Sequence, residues 1–179
     1  MKFKKIGLTI MLSFTTSLLT VGCTNENEIS HETVDQVKVD DIKEPIQEKF
    51  NQTMALAEKG DAEAQYNLGW MYSNGEGVES DETVTAQWFQ KAADQGHIKA
   101  LYNLGVMYRD GVGVPQDDIK AADYFLKAAD QGVADAQYNI GYMYYHGRGV
   151  AQDTNIAKEW LKKSADQGFK AAQESLSAM

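Results

Sequence analysis

A helical solenoid is the fold class this sequence predicts, and three observations predict it. Gly60, Gly96, Gly132 and Gly168 recur at a fixed period of 36 residues (96 − 60), and a period of that size marks stacked helical repeats. Within each period the apolar residues are spaced by four and three, as on one face of a helix. A glycine pair (Gly75/Gly77, Gly111/Gly113, Gly147/Gly149) then interrupts the middle of each period, as a helix end followed by a tight reversal requires.

Residues 1–22 read as a secretory signal. Lys2, Lys4 and Lys5 give a basic start, residues 6–21 are uncharged and largely apolar, and Gly22 precedes Cys23. The apolar run of 16 residues (21 − 6 + 1) is shorter than the about 20 a membrane-spanning helix needs. Cys23 is the only cysteine, so no intramolecular disulfide forms and a cysteine-based zinc site is not expected. The stretch Thr20-Val21-Gly22-Cys23 resembles a bacterial lipobox, with Thr20 standing where leucine is usual. That resemblance implies lipidation of Cys23 and removal of the leader. Since Thr24 is not aspartate, it also implies sorting to the outer membrane in a cell that has two membranes. Ordinary signal cleavage, leaving a secreted or periplasmic protein, is the alternative.

Residues 23–44 are expected to be the lipidated N-terminus and an acidic, solvated linker. Glu26, Glu28, Glu32, Asp35, Asp40, Asp41 and Glu44 outnumber Lys38 and Lys43, and so few apolar residues do not offset the entropy of ordering. Residues 45–60 are predicted to form a capping helix, with Pro45 in its first turn, Ile46, Phe50, Met54 and Ala57 on one face, and Gly60 at its end.

Three units follow: 61–96, 97–132 and 133–168. Ala64, Leu68, Met71 and Tyr72 recur as Ala100, Leu104, Met107 and Tyr108, then as Ala136, Ile140, Met143 and Tyr144, the core face of a first helix. Gly69, Gly105 and Gly141 interrupt that helix. Glycine there costs up to about 1 kcal/mol against alanine, so its recurrence predicts a facing helix too close for a side chain. Asp81, Asp117 and Asp153 stand where the second helices begin and are expected to cap them. The second helices carry Trp88/Phe89, Tyr124/Phe125 and Trp160/Leu161 and end in KAADQG, worn to KSADQG in the third. Asn67, Asn103 and Asn139 recur in mid-helix, where asparagine is a poor former, and read as structural hydrogen bonders. Residues 169–179 start a fourth unit and are expected to cap the open end as a half repeat.

The residues A-x-x-x-LG-x-MY, G-x-GV-x-x-D and KAADQG resemble the Sel1-like repeat, a relative of the tetratricopeptide repeat, over residues 61–179. The resemblance implies an all-α, right-handed superhelical solenoid of antiparallel helix pairs, whose first helices line a concave surface that binds proteins or peptides. On that register the wall includes Tyr66, Trp70, Tyr102, Arg109, Tyr138, Tyr142 and Tyr145. Spacings of four and three bring Tyr138, Tyr142 and Tyr145 together, a stripe of large contact area and low entropy cost. Tyr66, Tyr102 and Tyr138 recur in every unit, which fits a place in the core equally well, whereas Trp70, Arg109, Tyr142 and Tyr145 differ between units.

Catalysis is not expected. Some relatives are described as penicillin-binding or lactam-cleaving, and lactam chemistry of that kind uses Ser-x-x-Lys. No serine here has lysine three positions later. His31, His97 and His146 lack partners at metal-ligand spacing, and neither cofactor nor metal is expected. The formal charge of −9 becomes −12 once the three leader lysines are lost (−9 − 3), which disfavours nucleic acid and anionic lipid surfaces. The sequence therefore predicts an envelope protein that binds a protein or peptide partner, the alternatives being an inhibitor of an envelope enzyme or, in a different class, a penicillin-interacting or lactam-cleaving envelope enzyme.

Overall fold

The computed structural model describes residues 32–179, with side chains from residue 44 onward. The leader, Cys23 and the first part of the expected linker lie outside the described residues. Eight helices and no strand occur among the described residues: α1 (Glu32–Glu58), α2 (Ala62–Asn74), α3 (Glu82–Asp94), α4 (Ile98–Asp110), α5 (Asp118–Asp130), α6 (Ala134–His146), α7 (Thr154–Asp166) and α8 (Lys170–Ala178). Each packs on its chain neighbours. Contacts across repeats sort the helices into two layers. Glu63 on α2 reaches His97 at the start of α4, and Arg109 on α4 reaches Asn139 on α6. Tyr124 on α5 reaches Gln90 on α3 in the other layer. The protein is a solenoid of antiparallel helix pairs.

The two helices of each pair meet at the predicted glycines. A Cβ on Gly69 would stand 2.6 Å from the Phe89 ring, one on Gly105 2.6 Å from Phe125, and one on Gly141 2.9 Å from Leu161. Phe125 is wholly buried and Phe89 nearly so. The loops follow the same economy. Gly111 is a left-handed C-cap whose N–H bonds Met107 O, and Asp117 then accepts from the amides of Ile119 and Lys120 to start α5. Asp81 and Asp153 start α3 and α7 in the same way. Gly113, the second glycine of the pair, touches the preceding repeat. A Cβ there would land on the Glu82 carbonyl.

Five of the six positions of KAADQG have a clear physical task. Lys91 lies 3.6 Å from the centre of the Trp88 ring and Lys163 3.8 Å from that of Trp160, cation–π pairs one turn apart. Ala92 and Ala93 are core residues that let helices approach. Gln95 donates to Gln65 Oε1, while Gln65 donates to Ala57 O, and Gln167, Gln137 and Ala129 O repeat that relay. Gly96 takes φ +81 with nothing near its missing side chain, and the bond from His97 N to Ala92 O closes a Schellman turn. In KSADQG the hydroxyl of buried Ser164 donates to Ala134 O.

Two expectations are corrected. Helix α1 begins at Glu32 and carries Pro45 in its interior, where a linker to residue 44 and a first-turn proline were expected. No glycine falls in residues 32–44, and adding turns to a helix already anchored through Phe50 and Ala57 costs far less than nucleating one. Proline forfeits one backbone hydrogen bond. Of the recurring asparagines, Asn139 alone makes side-chain hydrogen bonds among the described residues, donating to Asp135 O and accepting from Arg109. Asn67 is exposed and Asn103 half-buried.

Gly113→Ala combines a left-handed φ, costing about 1–2 kcal/mol, with overpacking worth about 1–3 kcal/mol. It is expected to lower the unfolding free energy by more than Gly96→Ala, which meets only the first cost. Urea denaturation of the two variants measures the difference.

Candidate functional site

The first helices present the predicted wall residues in three different states. Tyr66 is only 8% exposed. Its ring stacks on Phe89 at 5.4 Å and on His97 at 4.4 Å. It is a core residue, so its invariance within the chain has a packing cause. Tyr102 and Tyr138 are half-buried, leaning on Phe125 and Phe169 respectively. Trp70, Tyr142 and Tyr145 are exposed at 40%, 42% and 37%, an uncommon state for side chains of this size.

Trp70 stands near the N-terminal end, edge-on to Tyr66 and Phe89. The other candidates gather on α6. Tyr142 and Tyr145 flank His146, with ring centres 4.2 and 4.9 Å away. Two clefts open beside them. One of about 180 Å³ is walled by Tyr138, Tyr142, Tyr145, Leu161 and Met179. The other, about 240 Å³, is walled by Arg109, Tyr138, Asn139, Tyr142, Met143 and Arg148. Tyr138 and Tyr142 belong to both.

Arg109 is fixed from both sides. Its Nε and Nη2 donate to the Asp110 carboxylate at 2.7 and 2.8 Å, and its Nη1 donates to Asn139 Oδ1 at 2.9 Å. The hydrogen bond from Arg109 holds the Asp110 carboxyl below its ordinary pKa, with the charges of Arg109 and Arg148 adding to it against desolvation. Burial pushes the Tyr102 hydroxyl above the ordinary tyrosine range, helped by Asp135 and opposed by Arg109. Arg148 was not among the sequence-predicted wall residues. It occupies the variable place in the glycine pair, Glu76 and Val112 in the other loops, and donates to Asp118 at 2.8 and 3.2 Å.

A larger cleft of about 760 Å³ lies between α1 and the loop of residues 74–78, bounded by Glu44, Ile46 and Val78. It gathers none of the aromatic or cationic candidates. Among the described residues no group of His, Cys, Asp and Glu is arranged to hold a metal ion, and no helix is long and apolar enough to cross a membrane. His97 is occupied structurally. Its Nδ1 accepts from Ala100 N at 3.2 Å, and its Nε2 lies 3.0 Å from Glu63.

The Sel1 repeat profile matches residues 62–97, 98–133 and 134–169, which is most of the chain and coincides with the three helix pairs. The chain belongs to the Sel1 repeat family. A protective antigen of uropathogenic Escherichia coli strains, described as displaying an SLR fold, is 40% identical over 70% of this chain with TM-score 0.67, and the match covers 27% of that antigen's chain. A Sel1 repeat protein from Oxalobacter formigenes is 36% identical over 73% of this chain and 98% of its own, with TM-score 0.68. Helicobacter pylori cysteine rich protein B, at 23% identity and TM-score 0.57 over 73% of this chain and 97% of its own, shares the fold. No protein with a curated description matches the chain. Sel1 repeats are helical scaffolds that typically mediate protein–protein interaction.

The raised Tyr102 pKa has a consequence for this Sel1 protein at alkaline pH. The folded state holds the phenolic proton more tightly than the unfolded one, so Tyr102 favours folding less as pH rises above about 10, the unfolded value. Stability is expected to fall above that pH, less steeply in Tyr102→Phe, as measured by urea denaturation across an alkaline pH series.

Proposed function

We propose that this Sel1 repeat protein is a cell-envelope lipoprotein, anchored through Cys23, that binds a protein or peptide partner along the wall of its first helices and has no catalytic role. The observation that carries the reading is the exposure of Trp70, Tyr142 and Tyr145 together with the paired clefts on α6. Exposed aromatic and arginine side chains beside pockets are the usual anchors of protein interfaces. Burying Tyr142 and Tyr145 against a partner gains apolar contact while each hydroxyl keeps the capacity to hydrogen-bond. The leader, with its apolar run of residues 6–21 followed by Gly22 and Cys23, supports the envelope location, and an acyl anchor strengthens membrane binding by about 0.8 kcal/mol per buried methylene.

The partner is accessible by crosslinking in the native envelope. Trp70→Ala combined with Tyr142→Ala is expected to reduce the captured partner by at least about tenfold, the loss of a single interface anchor, with the melting temperature nearly unchanged because both side chains are exposed. Undiminished capture refutes the wall assignment.

Fractionation tests the anchor separately. Cys23→Ala is expected to move the protein from the membrane to the soluble fraction, and a variant still wholly in the membrane refutes lipidation.

A further inference from the structure

We propose that the cleft between α4 and α6 is a carboxylate-binding subsite, and that the segment it selects is a peptide carrying an acidic residue beside a bulky apolar one. The inference rests on the reading of the first-helix wall as a peptide-binding surface and specifies what that surface recognises.

Arg109 and Arg148 are the only arginines in the chain, and its other 15 basic residues (17 − 2) are lysines. They come from different repeats, Arg109 from the last turn of α4 and Arg148 from the loop after α6, and they line the same cleft. Chance placement on a lysine-rich surface gives no reason for that convergence, whereas carboxylate recognition does. The guanidinium is a planar fork matched to two oxygens, while an ammonium is a strongly hydrated point charge.

Both forks are held in place before any ligand arrives. Asp110 and Asn139 fix Arg109, and Asp118 fixes Arg148. A guanidinium has more N–H donors than these bonds use, so each retains donors on a group whose rotamer freedom is already spent. The two ion pairs offset the charge of both arginines on a chain of formal charge −9, and their remaining N–H donors stay available. An acidic segment, repelled by the net charge of the molecule, meets guanidinium donors here.

The second half of the specificity comes from the neighbouring cleft. Its walls of Tyr145, Leu161 and Met179 suit an apolar side chain, and it shares Tyr138 and Tyr142 with the arginine cleft. The apolar and carboxylate subsites thus lie on either side of the same tyrosines. Adjacent or nearly adjacent residues of one extended peptide fill both.

Because there are two arginines, their Nε–H groups give two nuclear magnetic resonance signals that report on the cleft directly. The probes are four short N-acetylated peptides titrated into the full chain: Gly-Phe-Glu-Gly amide, Gly-Phe-Gln-Gly amide, Gly-Ala-Glu-Gly amide, and Gly-Gly-Phe with a free terminal carboxylate. The Phe-Glu peptide is expected to shift both signals, with the Phe-Gln and Ala-Glu peptides each binding about tenfold more weakly. Tighter binding of the free-carboxylate peptide also supports the subsite and assigns its natural carboxylate to a chain terminus. Arg148→Lys keeps the charge and loses the fork. With an unchanged helical spectrum, it is expected to weaken the Phe-Glu peptide about tenfold and leave the Phe-Gln peptide unaffected. Equal affinity for Phe-Glu and Phe-Gln, or arginine signals unmoved by every peptide, overturns the proposal. Native partner capture that survives Arg148→Lys but is lost in Tyr142→Ala overturns the carboxylate subsite while leaving the peptide-binding wall intact. Capture that survives loss of both Trp70 and Tyr142 removes the wall itself.

Discussion

The contact on which this structure depends is a backbone of one helix pressed against a ring or branched side chain of the next. Gly69 against Phe89, Gly105 against Phe125 and Gly141 against Leu161 bring the helices of each pair closer than any side chain at the glycine allows. That approach lets alanines complete the seam, because small residues around a deep-seated ring reach crystal-like packing without voids. It also dictates the loops. Once α4 and α5 are this close, residues 111–117 must reverse the chain in little space, which calls for left-handed glycine at Gly111 and a capping aspartate at Asp117. The cost of a glycine in mid-helix, up to about 1 kcal/mol, is small beside the burial of an entire phenylalanine, about 1.5–3 kcal/mol.

Between repeats the seam is partly polar, and there the units differ. Gln65 and Gln137 sit buried at 6% and 5% exposure, each tying a carbonyl of the preceding helix to the glutamine of the motif that ends the next one. In the middle repeat Leu101 takes that place, and Gln131 turns to Lys127 O instead. Both solutions satisfy the rule that buried polar groups be paired: the relay pairs every member, and leucine removes the need. Glutamine in KAADQG is thus tolerant of its neighbour because it has a second acceptor within reach.

The periodic part of this molecule was legible because repetition converts local chemistry into evidence. One glycine at position 105 says little, but three at the same place in three units predict the close approach that the structure contains. The aspartate caps and the paired loop glycines were readable for the same reason. Residues outside the period were not. Arg148 lies in a loop slot filled by Glu76 and Val112 in its sister repeats, so nothing in the spacing joins it to Arg109, and only the superposition of layers does. Helix α1 was misjudged for a related reason. An acidic, Val-containing stretch has the composition of a linker, and its helical state is inherited from the anchored turns that follow it rather than encoded in its own apolar pattern. Tyr66, which its recurrence placed equally well on the wall or in the core, is 8% exposed and stacks on Phe89 and His97.

Separating these two kinds of residue explains how one scaffold accommodates recognition. The repeat-invariant positions are nearly all consumed by packing: Leu68, Leu104 and Ile140 are at most 1% exposed, and substitution there opens cavities costing several kcal/mol. Positions that vary between repeats carry little of that burden. Trp70 corresponds to Val106 and Tyr142, and Arg109 to Ser73 and Tyr145, changes of size and charge that the same helix pair accommodates without altering its glycine seam. A side chain outside the core is free to vary without opening a cavity. The third unit has made the most use of that freedom, placing exposed Tyr142 and Tyr145 and loop Arg148 within one stretch of seven residues (148 − 142 + 1), while its core face keeps the same register as the other two. The non-repeating aromatic and cationic side chains are therefore densest at the α4–α6 seam, where Arg109 and Arg148 also tie neighbouring repeats together through Asn139 and Asp118.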